Sequence, residues 1–421
     1  MHHFDYKNNR LCCEAVDVAE IAEAVSTPFY LYSSATLNHH FNAFDSSFAD
    51  SEHLTCFAVK ACSNLAILRL FASLGGGADI VSGGELFRAL KAGFDPKRII
   101  YSGVGKTKEE LRYGLESGIL MFNVESMQEL ERLQETAAEL QMTAPVSFRV
   151  NPDVDPKTHA YISTGLAKNK FGIPIGEAED LYRRAQAMAN IEILGVSCHI
   201  GSQLVEISPF IEALDKVKQF ILRLADQGIA IKYLDLGGGV GIRYQDETPP
   251  DLKDYAAAIK EEMAGLNCIL ILEPGRVIVG NAGILVARVQ YTKKNQAKKF
   301  VIVDAGMNDL ARPSLYEAYH DILPVVAQSG GGIELETADV VGPICETGDF
   351  LAKDRELPPL AGGDLVAIMS SGAYGFAMSS NYNSRPRAAE VLVHEDRFYV
   401  IRERETYTSL IHGENIPEFL Q

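Results

Sequence analysis

The sequence predicts an α/β protein of two domains, an N-terminal (β/α)8 TIM-like barrel over 31–280 and a C-terminal antiparallel β domain over 281–421. Residues 1–30 form an N-terminal segment that can pack with either. Three observations predict this. A chain of 421 residues, 47% of them hydrophobic, is too long for one ordinary core and has the material for two. Short apolar, β-branched runs alternate eight times with longer amphipathic, charged runs. After Pro274 the helical patterns thin out and strand-like runs dominate.

In chain order, the barrel strands are expected at 55–60, 78–82, 98–102, 121–124, 146–151, 194–199, 233–236 and 268–273. The helical stretches between them include 84–92, 108–117, 126–140, 175–188, 208–227 and 252–263. Eight βα units in roughly 240 residues match the size of a (β/α)8 barrel. A doubly wound sheet is the alternative, but it does not need eight units so evenly spaced. In the second domain, strands are expected at 284–292, 299–304, 332–341, 364–369 and 388–401.

Composition narrows the function classes. A net charge of −17 argues against nucleic acid or an anionic membrane as partner, favours a soluble, cytoplasmic protein and says nothing about the substrate. Seven cysteines, including adjacent Cys12 and Cys13, show no CxxC and no framework spacing, and read as reduced thiols. The N-terminus has no apolar signal core, and no stretch approaches the ~18 apolar residues of a membrane span. No HExxH and no His/Cys ligand spacing is present, so no metal is expected.

The run Cys56-Phe57-Ala58-Val59 ends in Lys60. Such a lysine either snorkels to water or is held as an amine nucleophile that forms a Schiff base. The other strand ends bear on the choice, because a barrel's active site lies at the C-terminal mouth. Strand two ends around Asp79, strand six at His199-Ile200-Gly201-Ser202, strand seven at Gly237-Gly238-Gly239 and strand eight at Glu273-Pro274-Gly275-Arg276. Taken alone, His199 reads as a core or loop histidine and the glycines as an ordinary turn. The triplet fails the dinucleotide pattern, since Ile242 or Tyr244 stands where the third glycine belongs. Yet the loops after strands seven and eight are where barrels hold phosphate, and Arg276 adds charge there. Gly103-Val104-Gly105-Lys106-Thr107 resembles a Walker A end but has Ile100 where the first glycine is required, so it is expected to be a βα turn with Thr107 as helix cap.

Schiff-base lysine, phosphate cradle, histidine and opposing carboxylate together fit pyridoxal 5'-phosphate. Lys60 would take its aldehyde, the glycine loops its phosphate, His199 its ring face and Glu273 its ring nitrogen.

Eight ordered motifs extend this reading: FAVKACSNLAIL, GADIVSGGEL, HIGSQ, LDLGGGVG, EPGR, DAGMNDLARPSLYEAYH, GPICETGDF and SSGAYGFAMSSNYNSRPR. In this order they resemble the fold type III pyridoxal phosphate-dependent decarboxylases, most closely the family acting on diaminopimelate, from Pro28 to about Arg387. The resemblance implies a homodimer with composite sites that converts meso-2,6-diaminopimelate to L-lysine and CO2, the last step of lysine biosynthesis. It also implies roles by motif. Lys60, Cys345 and His199 would be catalytic, Cys345 as proton donor. Asp79, Ser202, Gly238, Gly239, Glu273, Gly275, Arg276 and Tyr374 would join them in holding the cofactor. Arg276, Arg312, Tyr316, Glu346 and Tyr374 would bind substrate, Arg312 and Tyr316 through its distal carboxylate and Glu346 through its distal ammonium. A decarboxylase for ornithine, lysine or carboxynorspermidine, or a non-catalytic regulatory homologue, is the alternative. One departure is Cys62, where a small polar residue is expected.

Overall fold

Eight parallel strands alternate with helices in the unit formed by residues 38–278. They are β1 (His53–Ala58), β2 (Gly77–Ile80), β3 (Ile99–Tyr101), β4 (Met121–Val124), β5 (Ala144–Asn151), β6 (Ile191–Ser197), β7 (Tyr233–Asp235) and β8 (Ile269–Leu272). Each pairs in parallel with the next, and Leu270 to Leu272 of β8 pair with His53 to Thr55 of β1, which closes the ring. A two-residue strand, Ile173–Pro174, lies beside β5. The computed structural model describes residues 2–155, 169–327 and 334–421.

All eight expected strands are present, but several stop short of their expected ends. The run expected to carry Lys60 to its end pairs only as far as Ala58, opposite Asp79, and Lys60 sits in a 3-10 turn, Val59–Ala61. The connecting helices start where capping chemistry permits. Thr107 caps Lys108–Ser117 in a reciprocal capping box with Glu110, and Gly118 ends that helix in the left-handed region at φ +65°. The Gly103–Thr107 run is thus a βα turn, as its failed Walker pattern implied.

Period-two alternation sorts the barrel interior into two levels. Lower down, Leu54, Cys56, Ile100, Met121 and Ile271 form an apolar cluster. Two residues further along the same strands the inward positions become polar: Ile100 gives way to Ser102, Met121 to Asn123 and Ile271 to Glu273, all buried. Buried polar groups are stable only when partnered, so this change marks the functional end of the barrel.

Lys106 shows how tightly that end is built. Its Nζ is buried and donates to Glu129 Oε1 at 2.7 Å and to the carbonyls of Gly103 at 2.7 Å and Asn123 at 2.8 Å. Replacing Glu129 with alanine leaves a buried ammonium without its counter-charge, which costs about 3 kcal/mol. Thermal unfolding should show Tm falling by roughly 5–10 °C, and a Lys106→Met, Glu129→Leu double variant should recover only part of it, since the Gly103 and Asn123 carbonyls then lose their donor.

The second unit comprises residues 1–37 and 279–421. Its central strand, Gly283–Lys294, pairs with Phe29–Ser33 and Leu365–Ile368 in its first half and with Lys299–Val303 in its second. The sheet is mixed rather than antiparallel. Phe29–Ser33 runs parallel to Ala389–His394, and Lys299–Val303 parallel to Glu336–Val341. Parallel neighbours need long crossovers, and for Phe29–Ser33 the intervening chain includes the whole barrel, so no local pattern announces the pairing. All five residues of Phe29–Ser33 are buried, and Phe29 and Leu31 join Ile284, Val286, Val391 and Val393 in the core of this unit.

Of the strand expected at 332–341, residues 332 and 333 lie outside the described residues and Glu336–Val341 is present. The run expected at 388–401 is a hairpin of two strands, Ala389–His394 and Arg397–Arg402. Phe350–Leu357 was not expected as a strand; it lies at the sheet edge, and its charged sequence FLAKDREL suits that position but hides the alternation. Among the described residues no helix is long and apolar enough to cross a membrane.

Candidate active site

A cavity of about 470 Å³ is lined by Lys60, His199 and Glu273, three residues brought together from the ends of β1, β6 and β8. Lys60 Nζ lies 2.7 Å from Oδ2 of Asp79, which is fully buried, while the lysine side chain is 33% exposed. The lysine therefore does not snorkel away from an apolar wall. It is held by a buried counter-charge at the edge of a cavity.

His199 stands two residues beyond β6. Its Nδ1 accepts the Gly238 N–H at 3.2 Å, which leaves the ring proton on Nε2. Burial, reinforced by the positive charges of Arg149 and Lys60, pushes its pKa well below the ordinary histidine value. The imidazole is neutral. Gly238, expected to offer its N–H to a phosphate, uses that N–H to orient His199.

Glu273 is buried against two other carboxyls. Burial, then the charges of Asp235 and Asp79, pushes its pKa well above the usual carboxylate range. Burial also raises Asp235 to about 6. Asn123 Nδ2 donates to Asp235 Oδ2 at 2.9 Å and to Ser102 Oγ at 3.1 Å, and Ser147 Oγ donates to Asn123 Oδ1 at 2.7 Å. Three buried carboxyls share one neighbouring ammonium, so Glu273 binds a proton more readily than an ordinary carboxyl.

The remaining expected barrel residues cluster on the loops after β6, β7 and β8. Arg276 donates from Nε and Nη2 to Ser202 Oγ at 3.3 and 3.0 Å, and from Nη1 to Tyr244 Oη at 2.7 Å. The glycine triplet is required by close approach: a Cβ on Gly238 would lie 2.2 Å from the Glu273 carbonyl oxygen, and Gly239 has φ +127°. Gly275 faces Ala58 and Ala61, on either side of Lys60.

Sequence reasoning did not single out Asp235, Asn123 or Arg149, nor Tyr244 as a partner for Arg276. The first two carry a readable signal, a polar residue two positions after an apolar inward one. Tyr244 lies in a loop and carries none. The Gly103–Gly105 turn, set aside as a false nucleotide loop, also lines the cavity.

The other expected residues belong to the second unit. Arg312 is buried at the start of the helix Arg312–Tyr316, which also places Tyr316. Cys345 and Glu346 are exposed in a turn organised by Asp349, whose carboxylate accepts the N–H groups of Met307 at 2.6 Å and Ile344 at 2.7 Å. Asn383 Oδ1 accepts the Cys345 N–H at 2.8 Å. Tyr374 has φ +56°, a backbone conformation uncommon for a tyrosine.

The barrel residues fit pyridoxal phosphate. An amine, a neutral ring and a buried carboxyl share one cavity, and the buried Ser197 hydroxyl on its wall has no hydrogen-bond partner among the described residues.

Comparisons with known proteins agree. Residues 34–280 match the pyridoxal binding domain of the pyridoxal-dependent decarboxylases. The chain is 54% identical over 416 residues to a diaminopimelate decarboxylase of Pseudomonas aeruginosa, covering 99% of both chains. Among solved structures it resembles diaminopimelate decarboxylase from Helicobacter pylori complexed with L-lysine, at 45% identity and a TM-score of 0.91, covering 94% of this chain and 98% of that one. The M. jannaschii enzyme in co-complex with L-lysine gives 43% identity and a TM-score of 0.93 over 100% of both chains. On full-length identity and shared architecture, this chain belongs to the diaminopimelate decarboxylase family of pyridoxal-dependent decarboxylases.

Proposed function

We propose that this protein removes CO2 from meso-2,6-diaminopimelate and leaves L-lysine, using pyridoxal 5'-phosphate. One observation carries the chemistry: the Lys60 amine, held by Asp79, shares a cavity with neutral His199 and with Glu273, whose pKa burial and neighbouring carboxyls raise. The choice of substrate follows the relatives named above.

When bound, the cofactor supplies an electron sink for the bond pair left as CO2 departs. Lys60 would hold it covalently, with Ser202, Gly239, Gly275, Arg276 and Tyr374 at its phosphate. His199 presents a ring face without adding positive charge. Glu273 would pair with the ring nitrogen and keep it protonated, which strengthens the ring as an electron sink. Arg312 and Tyr316 bind the distal carboxylate, Glu346 the distal ammonium, and Cys345 returns a proton to the substrate's Cα. A planar guanidinium meets a carboxylate with two parallel hydrogen bonds, a match that a lysine cannot make.

Release of CO2 from diaminopimelate, lysine and ornithine tests this directly. Turnover of diaminopimelate should far exceed that of lysine or ornithine. Faster release from lysine or ornithine would favour another basic amino-acid decarboxylase, and none from any would favour a regulatory homologue.

The protein works as a cytoplasmic homodimer in which Lys60 and Cys345 of one site come from different subunits, a reading that rests on the family resemblance. Lys60→Ala and Cys345→Ala proteins should each be nearly inactive. After random subunit exchange about half the dimers are mixed, each with one intact site, so activity should return to about a quarter of wild type. No recovery after verified exchange would place both residues in one chain's site.

A further inference from the structure

Arg312 is backed by His320, the last residue of DAGMNDLARPSLYEAYH, which was given no role. His320 is fully buried. Its Nδ1 lies 2.8 Å from the Met369 carbonyl oxygen, and its Nε2 accepts from Arg312 Nε at 3.3 Å. A carbonyl can only accept and a guanidinium can only donate. The imidazole is therefore neutral, with its proton on Nδ1.

The backbone around it is pinned as well. Arg355, on Phe350–Leu357, donates to the His320 carbonyl at 2.9 Å, and the Met369 N–H donates to the Asp321 carbonyl at 2.8 Å. Arg312 is tied to this anchor through Nε, which lies in the guanidinium plane. A hydrogen bond in that plane restrains rotation about the last side-chain bonds, and so sets where the two terminal nitrogens point.

We infer that His320 is a positioning residue that sets the plane of the Arg312 fork for the substrate's distal carboxylate, and so contributes to selecting substrates that carry one. The inference rests on the role of Arg312 proposed above.

Lysine and cadaverine test it, because they differ by one carboxylate. His320→Ala strands the Met369 carbonyl, so His320→Asn and His320→Gln are the discriminating variants. Asparagine keeps a donor near that carbonyl and loses the acceptor for Arg312, while glutamine is long enough to restore the acceptor. In the holoenzyme, His320→Asn should raise the KM for diaminopimelate and the inhibition constant of lysine about tenfold, as expected for a lost hydrogen bond to a charged group. Inhibition by cadaverine should stay within about twofold, and His320→Gln should recover most of the loss. An equal rise for cadaverine, or unchanged inhibition by lysine, would overturn the inference. Arg312→Ala separates the two layers of the argument. If it leaves the lysine-to-cadaverine ratio unchanged, the role of Arg312 itself fails; if it alters the ratio and His320→Asn does not, only the role of His320 fails.

Discussion

Lys60→Ala protein is expected to lose more than about a thousandfold in CO2 release, because the covalent anchor of the cofactor is gone rather than weakened. Borohydride treatment of the wild-type holoenzyme should fix the cofactor to the peptide carrying Lys60, and the variant should carry none covalently. Cofactor fixed elsewhere in the variant would end this reading. The same substitution also removes the counter-charge from Asp79, which is fully buried. Leaving a carboxylate buried and unpaired costs on the order of 3–5 kcal/mol, so the variant should melt early. Asp79→Asn in the Lys60→Ala background removes the stranded charge. It should restore the melting temperature without restoring activity, which separates loss of chemistry from loss of fold.

Arg312→Ala is expected to leave the cofactor bound and to lower kcat/KM for diaminopimelate by about 2–5 kcal/mol, or roughly 30- to 5,000-fold. The distal carboxylate would lose its two-bond guanidinium partner and keep only Tyr316. Residual turnover of lysine or ornithine, whose distal carbon bears only an amine, should change much less. Equal losses on all three substrates would mean that Arg312, buried at the head of its helix, serves the fold alone. Arg312→Lys should recover part of the loss, since charge returns without the two-bond geometry.

The eight-fold βα rhythm was legible because hydrophobic periodicity is a local property: each strand and helix must bury its own apolar face whatever it packs against. Lys60, His199, Glu273 and Arg276 stood out for a related reason, since each follows a strand that had to end at the same rim. The mixed sheet of the second unit was not legible, because Phe29–Ser33 pairs with strands more than two hundred residues away and nothing near it encodes a partner.

Chemistry at the site divides in the same way. The sequence alone determined that an amine, an imidazole, a carboxylate and a glycine turn lie at one end of a barrel, and its ordered motifs determined the family. Tertiary structure decided their states. It placed fully buried Asp79 against Lys60, turned the Gly238 N–H toward His199, and set Asp235 beside Glu273, which raises that carboxyl's affinity for a proton. It also set His320 behind Arg312. Residue type establishes which protons a group can exchange, but burial and neighbouring charge establish which it keeps, and both arise only when distant segments meet.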